Sequence, residues 1–223
     1  MSYGLKLHVW GEYACFTRPE MKVERLSYDV MTPSAARGIV EAIYWKPQIR
    51  WTIDRIHVLK PIRLETFRRN EIGSKLSEGT VRKAMKSGKP SDARVYIEDN
   101  RQQRAATILR DVGYGIEARF EIVQGSGDEG QEAKHLSASR RRAQKGQCFH
   151  RPYLGNREFP AHFELVEGGF PDSELEPGDR DRDLGWMLYD IDFQNGMNPT
   201  FFQARMVDGT VEIPSPGSAE IRR

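Results

Sequence analysis

Apolar and polar residues alternate from the start of the chain, with Leu5, Leu7 and Val9 set against Lys6 and His8. A repeat of two marks a strand with one buried face, and Gly11 is expected to interrupt it. Residues 12–28 carry aromatic and basic side chains without helical period and read as an extended hairpin or loop. At 33–45 the period changes: Ala36, Ile39, Val40 and Ile43 recur at helical spacing and build one apolar face. Thr32 is a capping residue, Pro33 suits the first turn because its missing N–H is not needed there, and Pro47 closes the segment. The two-residue period returns at 49–53, slips near Asp54 and Arg55 as a bulge would make it, and resumes through Ile56 and Val58.

Residues 62–71 read as a further strand bearing Arg63, Arg68 and Arg69. From 73 to 92 Lys, Ser, Gly and Pro dominate, which predicts an exposed loop. A short strand is expected at 94–98, then two strands within 105–123 that turn around 111–115. After a glycine-rich loop at 125–130, residues 132–145 read as a basic helix stopped by Gly146. Short strand-like runs follow near 158–166, 185–193 and 200–211. The order strand, helix, strand, strand and a further strand pair predicts an α+β fold. A ferredoxin-like domain would occupy residues 1–125, and a helix-bearing linker with a small antiparallel β-sheet domain residues 126–223.

Composition changes this picture little. Of 223 residues 38% are hydrophobic and 30% charged, enough for a core under a heavily charged surface, and the net charge is only +2. The distribution says more, because Arg140, Arg141 and Arg142 cluster while acids gather between 168 and 183, so a near-neutral total hides a basic face. Cys15 and Cys148 have no metal-ligand spacing and read as two reduced thiols. The first residues lack a long apolar run and no stretch approaches the ~20 apolar residues of a membrane span. A cytoplasmic protein without signal peptide or membrane contact, monomeric on its own, is expected.

Two places carry candidate chemistry. Arg37, Glu41 and Tyr44 are four and three residues apart and form a polar stripe on the first helix. From spacing alone Tyr44 is a packing tyrosine at a helix rim. Lys134 and His135 follow the acidic glycine-rich loop and precede the arginine run, and spacing alone reads them as a solvated basic helix. Histidine is nevertheless suited to proton transfer near neutrality. Arg101 and Arg104, with Gln102 and Gln103, offer phosphate and base-edge donors, and Tyr13 and Phe16 beside Arg18 suit single-stranded RNA. No Walker lysine motif, HExxH pair, nucleophile elbow or two-metal carboxylate cluster is visible, so no metal and no cofactor are expected.

Several runs nonetheless resemble one family. They are 10–19 with Trp10, Tyr13 and Cys15, 26–39 with Tyr28, Thr32, Pro33 and Arg37, and 43–47 with Tyr44 and Trp45. Arg101 to Arg104, Lys134-His135, 154–159 and 211–216 follow in the same order. Together they resemble the type I-C form of the fifth family of CRISPR-associated proteins, in the repeat-associated (RAMP) superfamily. The resemblance implies a ferredoxin-like domain with a β-hairpin insertion. It also implies a metal-independent endoribonuclease that cuts precursor repeat RNA at the base of its stem-loop and stays on the 5′ handle. Partners would be the backbone and large subunits of the interference complex. A non-catalytic scaffold is the competing reading, and duplex DNA a further partner that the same basic face admits. Tyr44, Lys134 and His135 would be catalytic. From their charge, Arg37, Arg68, Arg69, Arg101, Arg104, Arg140, Arg141 and Arg142 are assigned to RNA contact.

Overall fold

The computed structural model describes residues 4–193 and 196–223. In chain order it contains β1 (Gly4–Ala14), β2 (Arg25–Leu26), α1 (Pro33–Ile43), β3 (Ile49–Val58), β4 (Leu64–Ile72), α2 (Glu78–Ser87) and α3 (Ile97–Asn100). β5 (Arg101–Ile122), α4 (Glu132–Gln144), β6 (His162–Leu165), β7 (Arg182–Asp192), β8 (Asn198–Val207) and β9 (Thr210–Glu212) follow. The chain divides into two compact units, one of residues 1–65 with 107–223 and one of residues 66–106.

The larger unit is built on a sheet ordered β6-β1-β5-β3-β9-β8-β7. The succession β1–α1–β3–β5–α4–β6, with its strands ordered β6-β1-β5-β3, is the ferredoxin-like arrangement. Its second helix and fourth strand lie beyond residue 125. One row of register partners crosses five strands: Leu7, Ile116, Ile56, Val211 and Met206. All are at most 1% exposed, so this row is the spine of the core.

α1 forms for the reasons its pattern predicts. Thr32 Oγ1 accepts from the Ala35 N–H at 3.4 Å, and Ala36, Ile39, Val40 and Ile43 are all buried. α1 packs on β3 and β7, α4 on β1 and β6, and the two helices touch each other. The expected bulge in β3 is present, as a register shift between Ile53 and Arg55.

Four expectations within the sheet and its flanks are corrected, and a fifth in the smaller unit. β1 runs through Gly11 to Ala14, because Gly11 serves the close approach of Leu154 and the Pro160 carbonyl rather than a break. Residues 105–123 form no turn: β5 is a single strand of 22 residues. Its Gly113 and Gly115 lie in the sheet, where the lack of a side chain admits Lys60 and the ring of Phe170. The 200–211 run is two strands, β8 and β9, parted at Asp208-Gly209. The predicted strand at 94–98 is replaced by the short helix α3.

In the smaller unit β4 pairs with β5, and the intervening residues are not an irregular loop. Ser77 Oγ caps α2 by accepting from the Thr80 N–H at 3.1 Å, and Gly88 ends it in the left-handed region at φ 67°. Glu78 in the first turn and Lys86 in the last complement the helix dipole. The polar composition concealed these end signals.

Truncating the spine at its centre tests this description. Ile116→Ala should lower unfolding stability by about 2–5 kcal/mol, measured by urea denaturation, whereas the same change at the exposed Leu64 should have little effect.

Candidate active site

Tyr44 stands one residue past α1. Its backbone is extended at φ −148° and ψ 114°, so it leaves the helix as the C-cap instead of completing the last turn as its spacing suggests. Two contacts hold it there. Its N–H still donates to the Val40 carbonyl at 3.0 Å, and its own carbonyl accepts the Trp51 indole N–H at 2.8 Å. The helix end is further satisfied by the Phe149 N–H on the Ala42 carbonyl at 2.8 Å and by Arg142 Nε on the Ile43 carbonyl at 2.6 Å. Arg142 then stacks on Phe149, with 4.5 Å to the ring centroid.

This exit turns the Tyr44 hydroxyl toward the first turn of α4. Its oxygen lies 2.9 Å from His135 Nδ1, although the two residues are 91 apart in sequence. His135 is 1% exposed and Tyr44 6%. The imidazole faces the edge-on ring of Phe120, which in turn packs on Trp51. The polar pair therefore sits in an aromatic, water-poor box, where its hydrogen bond is electrostatically stronger than in water.

The far nitrogen of the imidazole, Nε2, is 3.1 Å from Asp128 Oδ2. The other carboxylate oxygen of Asp128 is 3.5 Å from Lys134 Nζ, which also donates to Gln131 Oε1 at 2.7 Å. Unlike its neighbour, the Lys134 side chain is 61% exposed. One carboxylate thus bridges a buried histidine and a solvent-facing ammonium.

Burial, and secondly the Asp128 charge, raise the Tyr44 phenol above the ordinary tyrosine range, and Arg142 and Arg141 only partly oppose them. The lowering by nearby cations that would make Tyr44 a free base is outweighed, because desolvation of the phenolate is the larger effect. Tyr44 is a neutral phenol at physiological pH.

The structure thus brings Tyr44, Lys134 and His135 together. The arginines fare differently. The Arg37 guanidinium is engaged by the Asp190 carboxylate in two bonds, one of 2.8 Å, and lies 3.6 Å from Glu41. This pair ties α1 to β7. Arg140 and Arg141 are exposed on α4, whereas Arg142 is half-buried. Arg68, Arg69, Arg101 and Arg104 belong to the smaller unit, where Arg69 and Arg104 both hold Glu71, at 2.9 and 3.1 Å, and Arg68 and Arg101 are exposed. That unit holds ten of the chain's 34 Lys and Arg but five of its 32 Asp and Glu, giving it +5 and the remainder −3. Among the described residues no group of three or more His, Cys, Asp or Glu is arranged to hold a metal ion.

Sequence reasoning missed Asp128 and Gln131. The signal available was an acid in a glycine-rich loop seven residues before His135, but loop acids of that kind are common and only the fold aims this one.

The model of the CRISPR-associated protein family Cas5, in its Cas5d form, matches residues 4–214. The chain belongs to the Cas5d family. A relative from Mannheimia succiniciproducens, named CRISPR pre-crRNA endoribonuclease Cas5d, is 54% identical over 225 residues, covering 100% of both chains. One of the same name from Thermus thermophilus is 41% identical over 238 residues, covering 98% of this chain and 95% of its own. Among solved structures, a CRISPR-associated protein shares the fold at a TM-score of 0.69 and 22% identity, covering 100% of this chain and 97% of its own. A chain of a CRISPR RNA-guided surveillance complex shares it at 0.51 and 14%, covering 97% and 95%. The fold of this chain is thus the ferredoxin-like α+β fold that the order of elements predicts. The described chain has no helix long and apolar enough to cross a membrane.

The raised Tyr44 phenol has a consequence at alkaline pH. The unfolded phenol ionises near about pH 10, so stability linked to the buried neutral form is complete below that pH and is lost as pH rises toward the folded-state value. Urea midpoints measured at about pH 8 and about pH 11 should fall less steeply with pH in Tyr44→Phe than in the parent chain.

Proposed function

We propose that the chain is a metal-independent endoribonuclease that cuts CRISPR precursor repeat RNA at the base of its stem-loop and remains on the 5′ handle. The observation that carries this reading is the buried hydrogen bond between Tyr44 and His135 beside the exposed Lys134. Two Cas5d relatives named for this activity support it.

RNA brings its own nucleophile, the 2′-hydroxyl. The 2′ oxygen attacks the adjacent phosphorus, the bond to the 5′ oxygen breaks, and a 2′,3′-cyclic phosphate and a 5′-hydroxyl result. Tyr44 orients the 2′-hydroxyl and passes its proton to His135 Nδ1, since a phenol that donates to histidine can accept a proton from substrate in the same movement. Lys134 supplies positive charge to the non-bridging oxygens as the phosphorane forms. The leaving oxygen takes a proton from solvent on the exposed Lys134 side, and the buried His135 returns its own to solvent back through the Tyr44 hydroxyl.

The backbone and large subunits of the type I-C interference complex are the protein partners in this reading, with duplex DNA as a further ligand. The +5 unit of residues 66–106 supplies the sequence-independent attraction.

Tyr44→Phe, Lys134→Ala and His135→Ala should each slow single-turnover cleavage of repeat RNA by about 10²–10⁴-fold with affinity retained. EDTA should leave the rate unchanged and a 2′-deoxy nucleotide at the scissile position should abolish cutting. Cleavage lost with chelator defeats the mechanism, and a parent chain that binds repeat RNA without cutting it makes the protein a scaffold.

Arginines with different surroundings should also behave differently. Arg68→Ala or Arg101→Ala should weaken cognate and unrelated RNA alike and reduce the slope of affinity against salt by about 1. Arg37→Ala should instead lower the unfolding midpoint, because it strands the Asp190 carboxylate.

A further inference from the structure

The nuclease reading uses three side chains, yet a fourth group contacts two of them. Asp128 reaches His135 Nε2 at 3.1 Å and Lys134 Nζ at 3.5 Å. We propose that Asp128 is a positioning residue, which holds His135 as the tautomer protonated at Nε2 and so leaves Nδ1 free to accept the Tyr44 proton. The proposal rests on the nuclease reading for its catalytic consequence, though the tautomer itself can be read independently.

A carboxylate only accepts hydrogen bonds, so the nitrogen facing it must carry the hydrogen. In a neutral imidazole the other nitrogen is then the acceptor, and that nitrogen is the one 2.9 Å from the Tyr44 hydroxyl. Asp128, His135 and Tyr44 thus form a directed chain in which a nucleophile-side hydroxyl, an imidazole and a carboxylate stand in the order of a hydrolase triad, with a phenol in the place of serine.

His135 has few other sources of orientation. It is 1% exposed, so bulk water does not choose its tautomer, and its ring neighbours Tyr44 and Phe120 leave Asp128 as the charged group at Nε2. Lys134 and the arginines Arg141 and Arg142 are the cations nearby, and none accepts a proton from the ring. The Asp128 side chain is itself only 18% exposed, and its carbonyl accepts the Gln131 N–H at 3.0 Å as the chain enters α4. Carboxylate and imidazole are therefore joined through seven residues of backbone that end in a helix. Without Asp128 the hydrogen is free to move to Nδ1. Tyr44 would then accept instead of donate, and the path for the 2′-hydroxyl proton would run the wrong way.

The test uses the full chain with repeat RNA and histidine ¹⁵N NMR, the His135 signals being assigned by their absence in His135→Ala. Asp128→Asn keeps the side-chain size and Asp128→Ala removes it. Both should cut about 10²-fold or more slowly, with RNA affinity retained and the Nε2-protonated signature of His135 lost or mixed. In a His135→Ala background the Asp128→Ala change should add no further loss, as expected of groups that act as one unit. Cleavage as fast as or faster than the parent chain would overturn the proposal, making Asp128 idle or a plug over the site. Losses that add in the double variant, or an unchanged tautomer, would overturn it as well. A parent chain that never cuts overturns the nuclease reading alone, since the tautomer measurement still decides whether Asp128 governs His135.

Discussion

The row Leu7, Ile116, Ile56, Val211 and Met206 is the constraint on which the larger unit depends. Each of its larger side chains contributes about 1.5–3 kcal/mol by leaving water, and a slip of one residue in any strand would turn its set to the opposite face. Register is therefore held across β1, β5, β3, β9 and β8 at once. Because the row continues into β9 and β8, the C-terminal strands join the sheet that carries the ferredoxin-like unit. α1 and α4 pack on strands of that fixed lattice and on each other. The meeting of Tyr44 with His135 follows from sheet register, with no local motif to arrange it.

Two features convert that proximity into directed geometry. The first is the abrupt end of α1. Had Tyr44 continued the helix, it would have lain on the stripe of Arg37 and Glu41; its extended backbone removes it from that stripe, and the Trp51 indole fixes the new position. The second is the aromatic box of Trp51 and Phe120, which keeps water from competing with the Tyr44–His135 bond. The same exclusion of water raises the phenol and keeps it protonated. Burial thus excludes one role, a standing tyrosinate base, while favouring another, a neutral relay.

The elements with clean periodicity were legible from sequence: α1 with its Thr32 cap, the bulged β3, and α4 ending at Gly146. The misread elements share a physical cause, which is that glycine and polar residues serve two purposes. Gly113 and Gly115 resemble turn residues, yet they lie flat in β5 because Lys60 and Phe170 pack over them. Residues 78–87 look like loop by composition, yet capping at both ends and the spacing of Val81, Ala84 and Met85 suffice for a helix. For the site, the residue types of Tyr44, Lys134 and His135 were visible, but their joining came through family resemblance, since 91 residues separate the phenol from the imidazole. Asp128 was hidden for a related reason, because its significance lies in where one loop points it.

Charge is divided in a way that the total of +2 conceals. Residues 66–106 carry +5 and the remainder −3, so long-range attraction for a polyanion is concentrated in the smaller unit. Within the larger unit many cations are already matched: Arg37 with Asp190, Arg119 with Asp54, and Arg55 with Glu212 and Glu117. Such pairs orient strands and helices more than they attract phosphate. Around Tyr44 the one carboxylate of Asp128 is shared by Lys134 and His135, and Arg141 and Arg142 add positive charge near the phenol. In the nuclease reading a phosphate placed there would meet those cations, while the Tyr44–His135 hydrogen bond would give the proton its direction.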